Sequence, residues 1–411
     1  MTLPVDLRAW QISAFASTWV AYAGFYLCRK NFAVAMPLLE TDLGFSKTEL
    51  AYIVTAFSVS YALGQVFGGP LADRGNTRRV VGLALAAAAG ANVLMGLSAS
   101  FWAFAALGFM NGVAQSVGWP GLTKIMANWF PSENRGAVMG WWSTNYVTGG
   151  LVATVLASYV VSHPTLLIEW PWQRVFWAPA AILVVIAAGF MLTAKNDRPE
   201  IGLPSIVPPG DGEPVGMHSG VVQLSRPVMR ATAAIGALLK YVRYSIIYWL
   251  PLFLVDRMRY SVGKAGYVSA VFEVAGFAGS IFAGYASDRW AGSRRFPVVA
   301  VMQVGLAVAC VSYPLISEAG LVTNVAGISL IGFMLYGPDT LLQGALAQDL
   351  GLKSGVAASA GLISGTSAVG QVISPILVAW LSDAFGWDSV FYSFAVAAAL
   401  GALLTRPYSR K

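Results

Sequence analysis

Gly69-Pro70-Leu71-Ala72-Asp73-Arg74-Gly75-Asn76-Thr77-Arg78-Arg79 and Gly284-Tyr285-Ala286-Ser287-Asp288-Arg289-Trp290-Ala291-Gly292-Ser293-Arg294-Arg295 are one pattern written twice, with the two Asp-Arg pairs 215 residues apart. Each copy follows a long apolar run, and such runs recur from end to end of the 411-residue chain. A run of about 20 apolar residues crosses a hydrocarbon core ~30 Å thick at ~1.5 Å per residue. In the half that carries the first copy, the runs read as helices near Trp10–Met36, Glu49–Pro70, Val80–Leu97, Phe101–Trp129, Gly136–Val161 and Val175–Ala194. The half with the second copy reads the same way, near Ala231–Leu254, Ala265–Ser287, Val298–Leu315, Leu321–Leu346, Gly355–Leu381 and Val390–Leu404. Lipid offers the backbone no hydrogen bonds, so a spanning segment is a helix or a closed-barrel strand. The length of the runs and their lack of period-two alternation reject the barrel. The expected fold is an all-α membrane protein, with twelve transmembrane helices in two pseudo-symmetric six-helix bundles.

Composition agrees. Hydrophobic residues make up 57% of the chain and charged residues 11%, against roughly 25% charged in soluble domains. Lys and Arg sort to one side of the membrane: with the N-terminus cytoplasmic, sixteen fall on that side and five, including Lys47, Arg174 and Arg257, on the other. By the positive-inside rule both termini are cytoplasmic. The net charge of +7 then reflects orientation and gives no reason to expect a nucleic-acid partner. The polar stretch Lys195–Arg226, rich in Pro and Gly, reads as a flexible linker. It divides the chain into an N-terminal bundle (1–194), a cytoplasmic linker (195–228) and a C-terminal bundle (229–411). Met1–Arg8 is too short for the basic region of a cleaved leader, so the first helix is expected to be retained. Cys28 and Cys310 lie in apolar runs and read as small core hydrophobes. The chain has no Walker loop, no nucleophile elbow and no metal-spaced Cys or His cluster. No cofactor, no metal and no enzymatic activity are expected.

The informative residues are ionisable groups inside apolar runs, because a mid-membrane charge costs about 2.5–3.5 kcal/mol on insertion scales and needs a partner or a role. They are Arg29 and Lys30 in the first helix, Lys240 and Arg243 in the seventh, Glu273 in the eighth and Asp339 in the tenth. Arg29 and Arg243 are 214 residues apart, within one residue of the loop repeat, and so hold the same position in each half. Two guanidinium forks at related positions suit a tetrahedral oxyanion held bidentately from both sides. Tyr22 and Tyr26 precede Arg29 on its helix face and read as pocket residues or as plain core. Lys240 shares the face of Arg243 and is either a third cation of the site or neutralised by Asp339. Lys30 reads better as a structural ion pair, with Glu273 as its partner.

The duplicated loops resemble the signature loop of the major facilitator superfamily. In each loop the aspartate is expected to cap or pair with a neighbouring helix end, making Asp73, Arg74, Asp288 and Arg289 a cytoplasmic gate. Further motifs resemble one subfamily, the organophosphate:phosphate antiporters: Tyr22-Ala-Gly-Phe-Tyr26-Leu-Cys-Arg29-Lys30-Asn31-Phe32, Asn111-Gly-Val-Ala-Gln115-Ser-Val-Gly-Trp119-Pro120, Tyr241-Val-Arg243-Tyr244, Gly332-Phe-Met-Leu-Tyr-Gly337-Pro338 and Phe385-Gly386-Trp387-Asp388. The resemblance implies that Arg29 and Arg243 bind phosphate and that Lys30 and Glu273 form a salt bridge beside the site. It also implies alternating access by a rocker switch, with inorganic phosphate exchanged for a phosphate ester. The chain departs from the family pattern at Gln65, where a lysine is frequent, at Asn145, where one exchanger has histidine, at Tyr248, where an acidic residue stands, and at Lys240 and Asp339. Gln65 and Asn145 are carried as substrate-binding candidates.

The expected function is therefore secondary transport of a small anionic solute, most directly a phosphate ester, by a monomer in a bacterial inner membrane. Two alternatives stay open. One is a proton-coupled symporter of a carboxylate, sulfonate or phosphonate, with Glu273 and Asp339 as proton carriers. The other is a transporter-like receptor for a sugar phosphate.

Overall fold

A computed structural model describes residues 7–74, 76–131, 138–139, 141–142, 144–163, 171–206, 227–291, 295–342 and 356–408, with backbone alone for 65–74 and 356–364. The side chains of Gln65, Asp73 and Arg74 thus lie outside the described residues, as do residues 207–226 of the expected linker. No strand occurs among the described residues. The chain forms two compact units, Met1–Glu213 and Pro214–Lys411.

The first unit contains α1 (Leu7–Leu43), α2 (Lys47–Arg74), α3 (Thr77–Gly96), α4 (Phe101–Ser116), α5 (Gly118–Trp129), α6 (Thr144–Ser162) and α7 (Arg174–Thr193). The second contains α8 (Pro227–Asp256), α9 (Val262–Arg289), α10 (Arg295–Ile316), α11 (Leu321–Thr340), α12 (Val356–Phe385) and α13 (Trp387–Thr405). The fourth expected span, Phe101–Trp129, is broken: Val117 separates α4 from α5. Pro120 explains the break, because a residue without an N–H fits the first turn of a new helix better than a helix interior. Among the described residues, nine helices are long and apolar enough to cross a membrane. Large apolar side chains such as Leu83, Trp102, Val185 and Val322 point outward from the helices that carry them, as a hydrocarbon surround permits.

The sequence repeat is also a repeat of packing. In the first unit α1 packs chiefly on α6, α2 on α4 and α3 on α7; in the second, α8 packs on α12, α9 on α11 and α10 on α13. The turns that follow the first helix of each unit match residue for residue at a spacing of 215. Gly44 (φ 70°) and Arg259 (φ 54°) are both left-handed. The next residue donates back into its helix, Phe45 N to Leu39 O (3.3 Å) and Tyr260 N to Leu254 O (3.2 Å). The residue after that caps the following helix: the hydroxyl of Ser46 accepts from Glu49 N (3.2 Å) and that of Ser261 from Lys264 N (3.4 Å).

The start of the expected linker is docked on the first unit. Trp129 Nε1 donates to Lys195 O (3.0 Å), Asn128 Nδ2 to Asn196 O (3.0 Å), and Arg198 Nη2 to Trp129 O (2.9 Å). A chain segment with its backbone oxygens bonded in this way is part of the bundle.

Candidate functional site

Arg29 sits at the middle of α1 and is 8% exposed. Its Nε donates to Gln115 Oε1 of α4 (2.8 Å). Its guanidinium carbon lies 4.7 Å from the ring centre of Tyr26, 5.7 Å from Phe57 and 4.6 Å from Tyr61. Each cation–ring contact contributes about 0.5–2 kcal/mol when desolvated. Three rings and a charge-assisted hydrogen bond together match the cost of placing an arginine in hydrocarbon. Two of the rings come from α2, and Gly112 explains how they reach the site. A side chain there would collide with the Phe57 carbonyl and the Ser60 hydroxyl, so the missing Cβ lets α2 and α4 touch backbone to backbone. Of the expected pocket tyrosines, Tyr26 therefore meets Arg29 directly. Tyr22 builds an aromatic wall with Tyr26, Trp119 and Trp142, at ring separations of 5.9, 5.1 and 5.9 Å. Lys30, the next residue, is also buried.

Asn145 is not brought to Arg29. Trp19 Nε1 donates to Thr144 Oγ1 (3.1 Å), and Gly149 abuts the backbone of Ala23. Asn145 is thus level with residues 19–22 of α1, roughly 13 Å along the axis from Arg29 at 1.5 Å per residue. It is fully buried, and neither of its amide atoms has a hydrogen-bond partner among the described residues. A buried amide in that condition calls for a ligand or water.

In the second unit, Arg243 of α8 is bound to a carboxylate. Its Nη1 is 2.5 Å from Asp339 Oδ2 of α11, with the two side chains 15% and 6% exposed. Its guanidinium carbon lies 4.4 Å from the Tyr336 ring centre, one turn before Asp339. Lys240, one turn before Arg243, is buried within the fields of both Arg243 and Asp339. Glu273 is buried on α9, which packs along α11. Asp339 therefore holds Arg243, at the position that the repeat relates to Arg29. An apolar groove of about 640 Å³ lies elsewhere in this unit, among α8, α12 and α13, lined by Ala237, Tyr241, Gly370 and Val396 among others. The Tyr241 and Ser393 hydroxyls are bonded to each other there (2.6 Å), and none of the candidate charges lines it.

At the end of α9, Asp288 is ion-paired with Arg295, the first residue of α10, and Arg295 also donates to Ser287 Oγ (2.8 Å). Arg289 lies 5.6 Å from the Tyr285 ring centre. Among the described residues no group of His, Cys, Asp and Glu is placed to hold a metal ion. The sequence reading assigned no role to Gln115, Phe57, Tyr61 or Tyr336. The signal for Gln115 was available: Asn111 and Gln115 are two amides one turn apart in an apolar run, where unpaired polar groups are expensive.

A family model, Major Facilitator Superfamily, matches residues 18–360. The chain is 30% identical to a glycerol-3-phosphate transporter of Bacillus subtilis, over 93% of this chain and 88% of that protein. It is 27% identical to a probable hexose phosphate transport protein of Chlamydia pneumoniae, over 97% and 91%. It is 25% identical to the membrane sensor protein UhpC of Escherichia coli, over 98% and 92%. The fold is similar to a solved bacterial homolog of the human lysosomal transporter Spinster, at a TM-score of 0.83 with 15% identity, over 99% and 98% of the two chains. Duplicated bundles, family model and relatives agree: this chain is an integral membrane protein of the Major Facilitator Superfamily, similar to its organophosphate:phosphate antiporters.

Proposed function

We propose that this protein is a secondary transporter that exchanges a phosphate ester for inorganic phosphate, by rocker-switch alternating access, in a bacterial inner membrane with both termini cytoplasmic. The observation that carries this reading is Arg29: a buried guanidinium in a membrane helix, fixed by Gln115 and stacked among three rings. That arrangement suits a planar bidentate donor for a tetrahedral oxyanion. The glycerol-phosphate and hexose-phosphate relatives supply the substrate class. Arg29 and Arg243 are assigned to the phosphoryl group, with Lys240, Tyr22, Tyr26, Asn145 and Gln65 as further substrate-binding residues. Lys30 and Glu273 are assigned as a coupling pair, and Asp73, Arg74, Asp288 and Arg289 as the cytoplasmic gate. A cationic site reorients at a cost unless an anion neutralises it, which favours obligatory exchange. In proteoliposomes loaded with labelled phosphate, efflux should require glycerol phosphate, hexose phosphate or phosphate outside, and Arg29→Ala should abolish it. Fast efflux into anion-free buffer would overturn exchange.

Two observations keep second readings in play. The ion pair of Asp339 with Arg243 suits proton-coupled symport, which predicts uphill uptake driven by a pH gradient alone. The sensor relative suits a receptor, which predicts binding without turnover.

A further inference from the structure

α1 leaves helical geometry at Cys28 (φ −98°, ψ 18°), the residue immediately before Arg29. A carbonyl at such a break needs partners from outside the helix ladder. The Cys28 carbonyl oxygen receives three side-chain amides: Asn111 Nδ2 at 2.8 Å, Asn92 Nδ2 at 3.3 Å and Gln115 Nε2 at 3.3 Å. These amides are themselves linked. Gln115 Nε2 donates to Asn111 Oδ1 (2.9 Å), and Asn31 Nδ2 donates to Asn92 Oδ1 (2.8 Å) and to Val175 O of α7 (3.1 Å). All four amide side chains are buried. The network therefore gathers α3 and α4 on one backbone oxygen of α1 and reaches Val175 of α7 through Asn31.

Gln115 is the member that also touches Arg29. Its amide can face only one way. With its NH₂ committed to Cys28 O and Asn111 Oδ1, its oxygen must receive Arg29 Nε. Turning the amide over would set donor against donor at Arg29 and oxygen against oxygen at both other partners. The same side chain thus holds the break in α1 and the angle of the guanidinium. Taking Nε also closes the side-on edge of the fork, so bidentate recognition runs through Nη1 and Nη2.

We propose that Gln115 is a positioning residue that couples the aim of Arg29 to the break in α1 at Cys28. An anion that draws on Arg29 then acts through Gln115 on the Cys28 carbonyl and on the angle between the two segments of α1. This rests on the anion-binding reading of Arg29. A helix held at its break by three side chains from two neighbours has a defined hinge, and Gln115 makes that hinge responsive to cargo.

The test uses the full chain in proteoliposomes, with phosphate:phosphate exchange and the phosphate-induced thermal shift measured on wild type, Arg29→Ala, Gln115→Leu, Gln115→Glu and Asn111→Leu. Gln115→Leu should raise KM for phosphate about tenfold, the scale of a lost hydrogen bond to a charged group. Gln115→Glu, whose carboxylate takes the guanidinium for itself, should raise it further. Asn111→Leu keeps the Gln115–Arg29 bond and loosens the break, so its loss should fall on kcat with KM near wild type. If Gln115→Leu fails to fold, the split between Gln115→Glu and Asn111→Leu decides the matter. Wild-type KM and kcat in the Gln115 variants, with Arg29→Ala inactive, would overturn the coupling and leave the anion site standing. Absence of any phosphate response in the wild type would instead remove the anion reading itself.

Discussion

At the scale of single residues, the two related arginines are unequal. Arg29 is surrounded by rings and an amide, whereas Arg243 is bound to Asp339. The first consequence concerns the guanidinium itself. Arg29→Lys keeps the charge but loses the fork, the bond to Gln115 and most of the ring stacking. Phosphate exchange should fall at least about tenfold, the scale of a lost hydrogen bond to a charged group, and the melting temperature should drop with it. An unchanged rate would show that bare charge suffices. The second consequence concerns Asp339. In the proposed site a cargo anion competes with this carboxylate for Arg243, so Asp339→Asn should tighten phosphate binding several-fold while lowering stability. Breaking a buried pair typically costs about 3–5 kcal/mol, less where the amide still accepts a hydrogen bond. Weaker binding in titration calorimetry would show that Asp339 supports the site and does not compete with cargo.

At the scale of elements, the match between the two units reaches single backbone torsions. Gly44 and Arg259 hold the same left-handed turn, one with the residue that adopts it freely and one without. Left-handed geometry costs a side-chain-bearing residue roughly 1 kcal/mol, and no atom lies within 4 Å of where a Cβ on Gly44 would stand. Gly44→Ala should therefore destabilise the protein by about 1 kcal/mol, and Arg259→Gly should stabilise it by a similar amount. Thermal unfolding in detergent measures both, and equal signs would refute the account. The break between α4 and α5 belongs to this scale as well. Pro120 made it foreseeable, yet the hydropathy of 101–129 is continuous and masks it.

At the scale of the whole molecule, charge divides unevenly between the units. Among the described residues, the buried carboxylates Glu273 and Asp339 both belong to the second unit, together with Lys240, while the first buries Arg29 and Lys30 in mid-helix and Arg174 at a helix start. The proposed guanidinium site at Arg29 favours the more highly charged form of a phosphate ester, whose second ionisation falls near pH 6. The apparent KM for total ester should rise as pH drops below about 6. A flat profile from pH 5 to 8 would mean that the monoanion is carried equally well. The sequence by itself determined the spans, the two-fold repeat and which charges lie in the membrane, because lipid forbids unpaired backbone and makes an isolated charge expensive. Run length and residue type are enough for that. Which partner each charge takes was decided only by tertiary structure. Spacing put Arg29 and Arg243 in equivalent places, but helices from α2 and α4 gave one its rings and amide, and α11 gave the other its carboxylate. Such pairings join residues 86 and 96 positions apart, and no local pattern along the chain encodes which helices will touch.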